Sequence, residues 1–292
     1  MHLTLSPLTP SRFPSAFVIG ASAFRTDSLR QLIYPAQLSH LGSPLLEQEF
    51  RFSIQLQRLS AADIARSYYL MVVDTDADAE EELNGVVEEE EREEWRTWLE
   101  SAVRRIEGVE RVREVGRLGG EVVGVGRTGE EEVVRRGRMV GLAIWVAPEG
   151  EGGVGEEPGE VLGMAAGVEE GKVGEGEPEE PVIMDGEVRR ESVEKLRRER
   201  ERVMGSRKDY WYLASLLTHE EYQRKGVAKL LLNWGIEQAD RDGADIYLES
   251  SPAGLPVYKK FGFKPEGGFV MNNSDYALLS MLKQPSTRNE GS

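Results

Sequence analysis

Apolar positions along this chain fall into short blocks separated by turn residues, and the blocks differ in period. Tyr68-Tyr69-Leu70-Met71-Val72-Val73, stopped by Asp74, has the aromatic and β-branched content of a strand. Met139 to Val146 and Tyr210 to Leu217 read as buried strands for the same reason. Asp245 to Ser251 is another: Tyr247, Glu249 and Ser251 share one face, and Ile246, Leu248 and Ser250 the other. Turning Tyr247 and Glu249 towards a cleft leaves Ile246 and Leu248 for the core. His2 to Ser6 is the expected first strand, with Gly268 to Met271 and Tyr276 to Leu282 as the last two.

Helical spacing appears between these blocks. Val227, Leu230, Leu231, Trp234 and Gln238-Ala239 recur on one helical face. Thr9-Pro10 is a helix start, and Ser11 to Phe24 the helix it opens. Ser28 to Ile33 is a short helix ending before Pro35, Pro44 to Arg58 a further helical candidate, and Glu187 to Met204 a charged helix.

Two stretches break the pattern. Residues 75–136 are dominated by Glu, with a stripe of Trp95, Trp98, Leu99, Ala102, Val103 and Ile106 that Gly108 ends. One helix is expected there, able to dock on the body or on a protein partner. Residues 148–186 are rich in Gly, Glu and Pro and read as a flexible linker, and residues 284–292 as a disordered tail. The structured body is then 1–74, 137–147 and 187–283.

Charge and composition narrow the possibilities. The chain has 292 residues and a formal net charge of −16. From Gly205 onward, 11 acids balance 11 bases, so the excess lies in the middle of the chain. Overall acidity argues against nonspecific nucleic-acid binding. With no cysteine, and histidines only at 2, 40 and 219, neither a disulfide scaffold nor a metal site is expected. No apolar run reaches the length of a membrane span. The first 26 residues lack acids and carry two arginines, which matches a mitochondrial leader. The competing reading, a strand followed by a helix start, makes the cytoplasm the expected location.

The chemistry concentrates between the strand at Tyr210 and the helix at Val227. A strand leading through a short loop into a helix presents unpaired N–H groups and the positive end of the macrodipole, which together suit an anion. Gly226 permits close approach of a phosphate to the backbone, and Arg224 and Lys225 add charge. The alternative makes Arg224 and Lys225 a solvated surface pair.

These residues resemble the acyl-CoA-binding motif of the GNAT N-acetyltransferase superfamily, Gln/Arg-x-x-Gly-x-Gly/Ala, present here as Gln223-x-x-Gly226-x-Ala228. Within about 30 residues follows Val257-Tyr258-Lys259-Lys260-Phe261-Gly262-Phe263, similar to the family's Leu-Tyr-x-x-x-Gly-Phe signature with Val257 in the Leu place. The resemblance covers about Asp209 to Lys283, and the wording Tyr-Leu-Glu-Ser-Ser-Pro-Ala-Gly is most similar to uncharacterised fungal members. It implies an α/β (α+β) fold: a mixed, mostly antiparallel central sheet flanked by helices, with splayed middle strands. In that fold residues 75–136 become an insertion at the tip of an antiparallel hairpin.

The resemblance also implies acetyl-CoA as co-substrate, without a metal, and an amine acceptor as partner. Leu216, Leu217 and Thr218 at the strand end, with Gln223, Arg224, Lys225, Gly226, Val227 and Ala228, are the expected CoA site. Ser251 stands where family members often carry Asn against the pantetheine arm. Tyr258 occupies the position whose phenol protonates the departing thiolate in many members; the alternative is a tyrosine packed on the sheet. Glu249 is the candidate base, or a carboxylate anchoring a loop. His219 is a second candidate base, or structural as in relatives with His-Pro. Trp145, Trp211 and Tyr212 are either acceptor-pocket lining or core. A non-catalytic acyl-CoA-binding or interaction module using the Trp95/Trp98 helix, and an acyltransferase for longer chains, are the rival functions.

Gly124-x-Gly126-x-x-Gly129 has the dinucleotide-binding spacing, with Glu149 about 20 residues on. Only Glu121-Val122-Val123 precedes it and Gly137 follows before a helix can form, so it is read as a product of glycine-rich composition.

Overall fold

The computed structural model describes residues 1–8, 12–37, 66–78, 136–149, 185–271 and 274–286. In chain order they form β1 (Leu3–Pro7), α1 (Phe13–Ala23), α2 (Ser28–Ile33), β2 (Ser67–Asp78), β3 (Gly137–Val146), α3 (Gly186–Met204), β4 (Tyr210–Thr218), a 3-10 turn (Glu220–Tyr222), α4 (Val227–Asp242), β5 (Asp245–Ser250), α5 (Leu255–Lys260), β6 (Lys264–Val270) and β7 (Ala277–Lys283). The strands make one sheet in the order β1-β2-β3-β4-β5-β7-β6. Every pairing is antiparallel except β4 with β5. This is the mixed α/β architecture expected.

Both faces of the sheet are covered, which is why its central strands read as continuous apolar runs rather than alternating ones. On one face Ile19 of α1 and Met204 of α3 pack with Met71, Leu142, Ile144, Tyr210, Tyr212 and Tyr247. On the other, Leu231 and Leu232 of α4 pack with Val72, Trp145, Trp211, Leu213, Ile246 and Leu248. Removing such surface from water stabilises the fold by about 25 cal/mol per Å². Trp145 is fully buried and donates from Nε1 to Leu231 O at 3.3 Å. Its indole lies against Gly235 so closely that a Cβ there would overlap the ring.

Helix ends follow local chemistry. Asp27 caps α2 by accepting from Leu29 N–H and Arg30 N–H, and Asp185 caps α3 by accepting from Glu187 N–H and Val188 N–H. Gly243, in the left-handed region, terminates α4.

Several boundaries differ from expectation. β2 runs through Asp74 to Asp78, because the Asp74 carboxylate finds backbone and side-chain donors instead of solvent. β6 begins at Lys264, earlier than the expected Gly268; it is an exposed edge strand, so no buried apolar pattern marks it, and its pairing with β7 is irregular between Pro265 and Gly267. The chain stays anchored past Gln284: Ser286 donates from N–H and Oγ to the Asp240 carboxylate at 2.8 and 3.0 Å. Thr9-Pro10, the Pro44–Arg58 helix, the Trp95/Trp98 helix and Gly124–Gly129 lie outside the described residues, as does 150–184 of the expected linker.

Candidate active site

The site begins where two strands part. β4 and β5 pair in parallel from Tyr210↔Asp245 to Leu213↔Leu248. β4 then continues to Thr218, bonded only to β3, as far as Thr218↔Gly141. The cause is a bulge. Trp145 faces Leu213 and Ile144 faces Ser215, which leaves Ala214 as the extra residue. A bulge bends its strand, and here β4 leaves the β5 register immediately afterwards. On the β5 side, the N–H and C=O groups of Ala214 to Thr218 therefore have no ladder partner among the described residues. Leu216 and Thr218 are half-buried, and Leu217 points into the core with 2% exposure.

The splayed strand feeds a turn opened by glycine. After the 3-10 turn, Arg224 has φ 61 and Gly226 φ 97, and α4 starts at Val227. Positive φ at Gly226 opens the helix without a side-chain cap, so the first-turn N–H groups of α4 face outward. A Cβ built at Gly226 meets nothing within 4 Å, so the backbone borders open space. Gln223, Arg224 and Lys225 are exposed around it, whereas Val227 is 1% exposed and pins the helix to the sheet.

Tyr222 holds this turn from beneath. Its hydroxyl donates to Asp74 Oδ2 at 3.0 Å, and Lys225 Nζ lies 5.0 Å from its ring centroid. Burial and the Asp74 carboxylate push the Tyr222 phenol up to about 12. Burial alone would raise Asp74, but hydrogen bonds from His2 N–H, Asp76 N–H and Tyr222 hold it below the ordinary carboxylate range.

Tyr258 and Glu249 lie near the C-terminal end of β5, close enough for the carboxylate to act on the phenol. Tyr258, on α5, is 8% exposed, and its ring packs at 5.8 Å and 68° against Phe263. Gly254 lies under the ring: a Cβ there would come within 2.9 Å of it. Burial raises the Tyr258 phenol well above its ordinary value, and the nearby Glu249 carboxylate adds to the rise. Glu249 is half-buried, and its Oε2 accepts from the Tyr212 hydroxyl at 2.9 Å.

The family model for the acetyltransferase (GNAT) family matches residues 142–263, the stretch that contains the splay, the turn and Tyr258. A probable acyltransferase, SID5, of Ajellomyces capsulatus is 31% identical over 97 residues, which are 28% of this chain and 71% of that protein. The chain belongs to the GNAT acetyltransferase family. An uncharacterized N-acetyltransferase of Schizosaccharomyces pombe is 30% identical over 92 residues, 30% of this chain and 37% of that protein, so the match spans about a third of that relative. Among solved structures, a histone acetyltransferase HPA2 and related acetyltransferase from Corynebacterium glutamicum aligns over 98% of each chain at 17% identity, with a TM-score of 0.45.

Within this GNAT chain, His219 is buried. It is 2% exposed and sits directly after β4. Nδ1 accepts from Glu221 N–H at 3.3 Å, and the Arg138 guanidinium lies 3.1 Å from Nε2. The Glu221 carboxylate also lies 4.0 Å from Nδ1, so the ring is held from both sides. Burial first, and Arg138 second, push the imidazole down to about 4.

Of the two readings of Trp145 and Trp211, pocket lining or core, the structure gives core. Trp145 and Trp211 lie on the α4 face with 0% and 4% exposure, and Trp211 Nε1 donates to Asp242 Oδ2 at 2.8 Å. Together with Tyr68 and Trp234 they form an aromatic cluster with centroid separations of 5.4 to 6.5 Å. Tyr212 is buried as well, at 5% exposure, but on the opposite face, beside Glu249. Tyr247, expected to border the cleft, is 0% exposed and packs among Tyr210 and Tyr212. Ser251 works locally: its Oγ accepts from Gly254 N–H at 3.2 Å and its carbonyl from Leu255 N–H, opening α5.

Among the described residues, no group of three or more His, Asp or Glu side chains is placed to hold a metal ion, and no helix is long and apolar enough to cross a membrane.

Proposed function

We propose that this protein transfers an acetyl group from acetyl-CoA directly to a primary amine of a small molecule. One observation carries the reading. A strand freed of its partner after Leu213 leads within a few residues to a helix start opened by Gly226 at positive φ. Backbone groups along Ala214 to Thr218 on the β5 side, without a ladder partner among the described residues, suit the amide-bearing pantetheine arm. The first turn of α4, with Arg224 and Lys225, suits the pyrophosphate.

Acetyl-CoA supplies a thioester whose carbonyl carbon accepts the amine nitrogen while the carbon–sulfur bond breaks. The chain's groups do the rest. A backbone N–H of the splayed β4 polarises the carbonyl oxygen. Glu249 takes the proton that the incoming nitrogen sheds, directly or through water. Tyr258, kept protonated by burial, gives its hydroxyl proton to the sulfur; the same exclusion of water raises the sulfur's demand for it. The proton on Glu249 then restores the phenol by way of solvent.

The test is calorimetric titration with acetyl-CoA and with CoA, on the wild type and on Gly226→Glu. Binding that the substitution abolishes supports the cradle and justifies a thiol-release screen over amines. Absence of binding by the wild type would sink the reading and leave an interaction module.

A further inference from the structure

Glu249 is half-buried, and polar or charged side chains from four elements lie around it. From β5 comes Tyr247, sealed from solvent, whose phenol is raised by burial first and then by the Glu249 carboxylate beside it. From α5 comes Tyr258, and from β7 Ser280, opposite Glu249 in the ladder. From α3 come Glu199 and Arg202, paired at 2.7 Å, with Ser280 Oγ donating to Glu199 Oε1 at 2.6 Å. Glu199 adds negative charge near Tyr247, and Arg202 is spent on Glu199. Burial disfavours the charged form of any carboxylate, and a protonated Glu249 could accept no proton.

The Tyr212 contact favours the charged form. Tyr212, on β4, donates to Glu249 Oε2 at 2.9 Å. The Arg200 guanidinium lies 4.2 Å above the Tyr212 ring, while its Nε donates to the Tyr210 hydroxyl at 2.8 Å. A cation on the face of a phenol withdraws electron density and strengthens the hydroxyl as a donor.

We propose that Tyr212, polarised and fixed by Arg200, is the positioning residue that keeps Glu249 ionised and correctly turned. This inference rests on Glu249 acting as the base. Neither Tyr212 nor Arg200 touches the reacting atoms; both act through the carboxylate. Such an arrangement explains why a cation of α3 stacks beneath the strand that splays. It puts positive charge within reach of the base without setting a fixed cation beside the incoming ammonium, where it would repel.

The experiment follows the Glu249 carboxyl in the full chain by carbon-13 NMR of labelled glutamate, with Glu249→Gln identifying the signal. In Tyr212→Phe the titration midpoint should rise by about one unit, a tenfold change in proton affinity. In Arg200→Met it should rise by less, in the same direction. Midpoints unmoved in both variants overturn the proposal, and if Tyr212→Phe does not fold, Arg200→Met decides alone. Turnover separates this inference from the reading beneath it. Loss of turnover in Glu249→Gln with an unmoved midpoint in Tyr212→Phe sinks only the role of Tyr212. Full turnover in Glu249→Gln sinks Glu249 as the base. On turnover, Tyr212→Phe should lower kcat and move its acidic limb to higher pH, with the KM for acetyl-CoA unchanged; a purely structural role would leave the limb in place.

Discussion

Tyr222 Oη donates to Asp74 Oδ2 at 3.0 Å, joining residues 148 positions apart and fastening the turn before Gly226 to strand β2. The bond is buried, and its two ends serve different purposes. Tyr222 supports the turn before Gly226, and Asp74 also accepts from His2 N–H at 2.9 Å, which draws β1 to the same point.

Removing the acceptor leaves the Tyr222 hydroxyl buried and unsatisfied. Asp74→Ala should therefore cost about 1–3 kcal/mol in urea unfolding and weaken acetyl-CoA binding with it. The sign of the pH effect follows from the lowered Asp74 pKa. Its contribution is present above the ordinary carboxylate value, about 4, and is lost as pH falls through the folded value. Between pH 5 and 3 the wild type should lose more stability than Asp74→Asn. Equal losses would show that Asp74 is not held ionised.

Tyr258→Phe should lower turnover about a hundredfold while acetyl-CoA binds as before. The hydroxyl is lost, but the ring still fills its place against Phe263 and Gly254. Unchanged turnover would assign Tyr258 to packing alone.

His219, pushed down to about 4, is neutral when folded, whereas in the unfolded chain it titrates near 6.5. Between these values the unfolded state binds more protons, so stability falls as pH drops from about 6.5 to 4. Melting His219→Asn across this range should give a flatter dependence than the wild type. A limb near pH 6.5 in kcat that disappears in His219→Asn would contradict a structural histidine.

The β2–β3 ladder closes at Asp78↔Gly137, so residues 79–135 leave and re-enter at one place on the sheet. Deleting residues 80–134 with a short turn in their stead should leave the affinity for acetyl-CoA intact, because hairpin tips tolerate such changes. Loss of CoA binding on deletion would mean that this acidic stretch contributes to the site.

The turn at Gly226 was legible in the chain because its signal is local: a glycine at the start of a helix, after a strand, with two cations beside it. The strand–turn–helix order and the Tyr258 block lie within one continuous stretch, and no distant contact is needed to read them. Trp145 and Trp211 were ambiguous for the opposite reason. An aromatic on a strand suits a pocket wall or a core equally, and only the placement of α4 decides which face is closed.

Alternation put Glu249 and Tyr247 on one face, and that held. It could not say that α1 and α3 cover this face, so Tyr247 is sealed where a cleft was expected. Nor does period-two alternation survive the bulge at Ala214. Leu213 packs on the α4 face and Leu217 on the other, although two residues an even number apart on a regular strand share a face.

By itself, then, the sequence determined the elements whose causes lie within a few residues: the strands, the glycine-opened helix and the aromatic and acidic side chains at their ends. Only the tertiary structure decided how β4 leaves β5, which tyrosine meets Glu249, and that Asp74 reaches Tyr222. The reason is physical. A hydrogen bond or a strand register depends on where two distant backbones are brought, and that is settled by the packing of helices on both faces of the sheet, not by any one segment's preference.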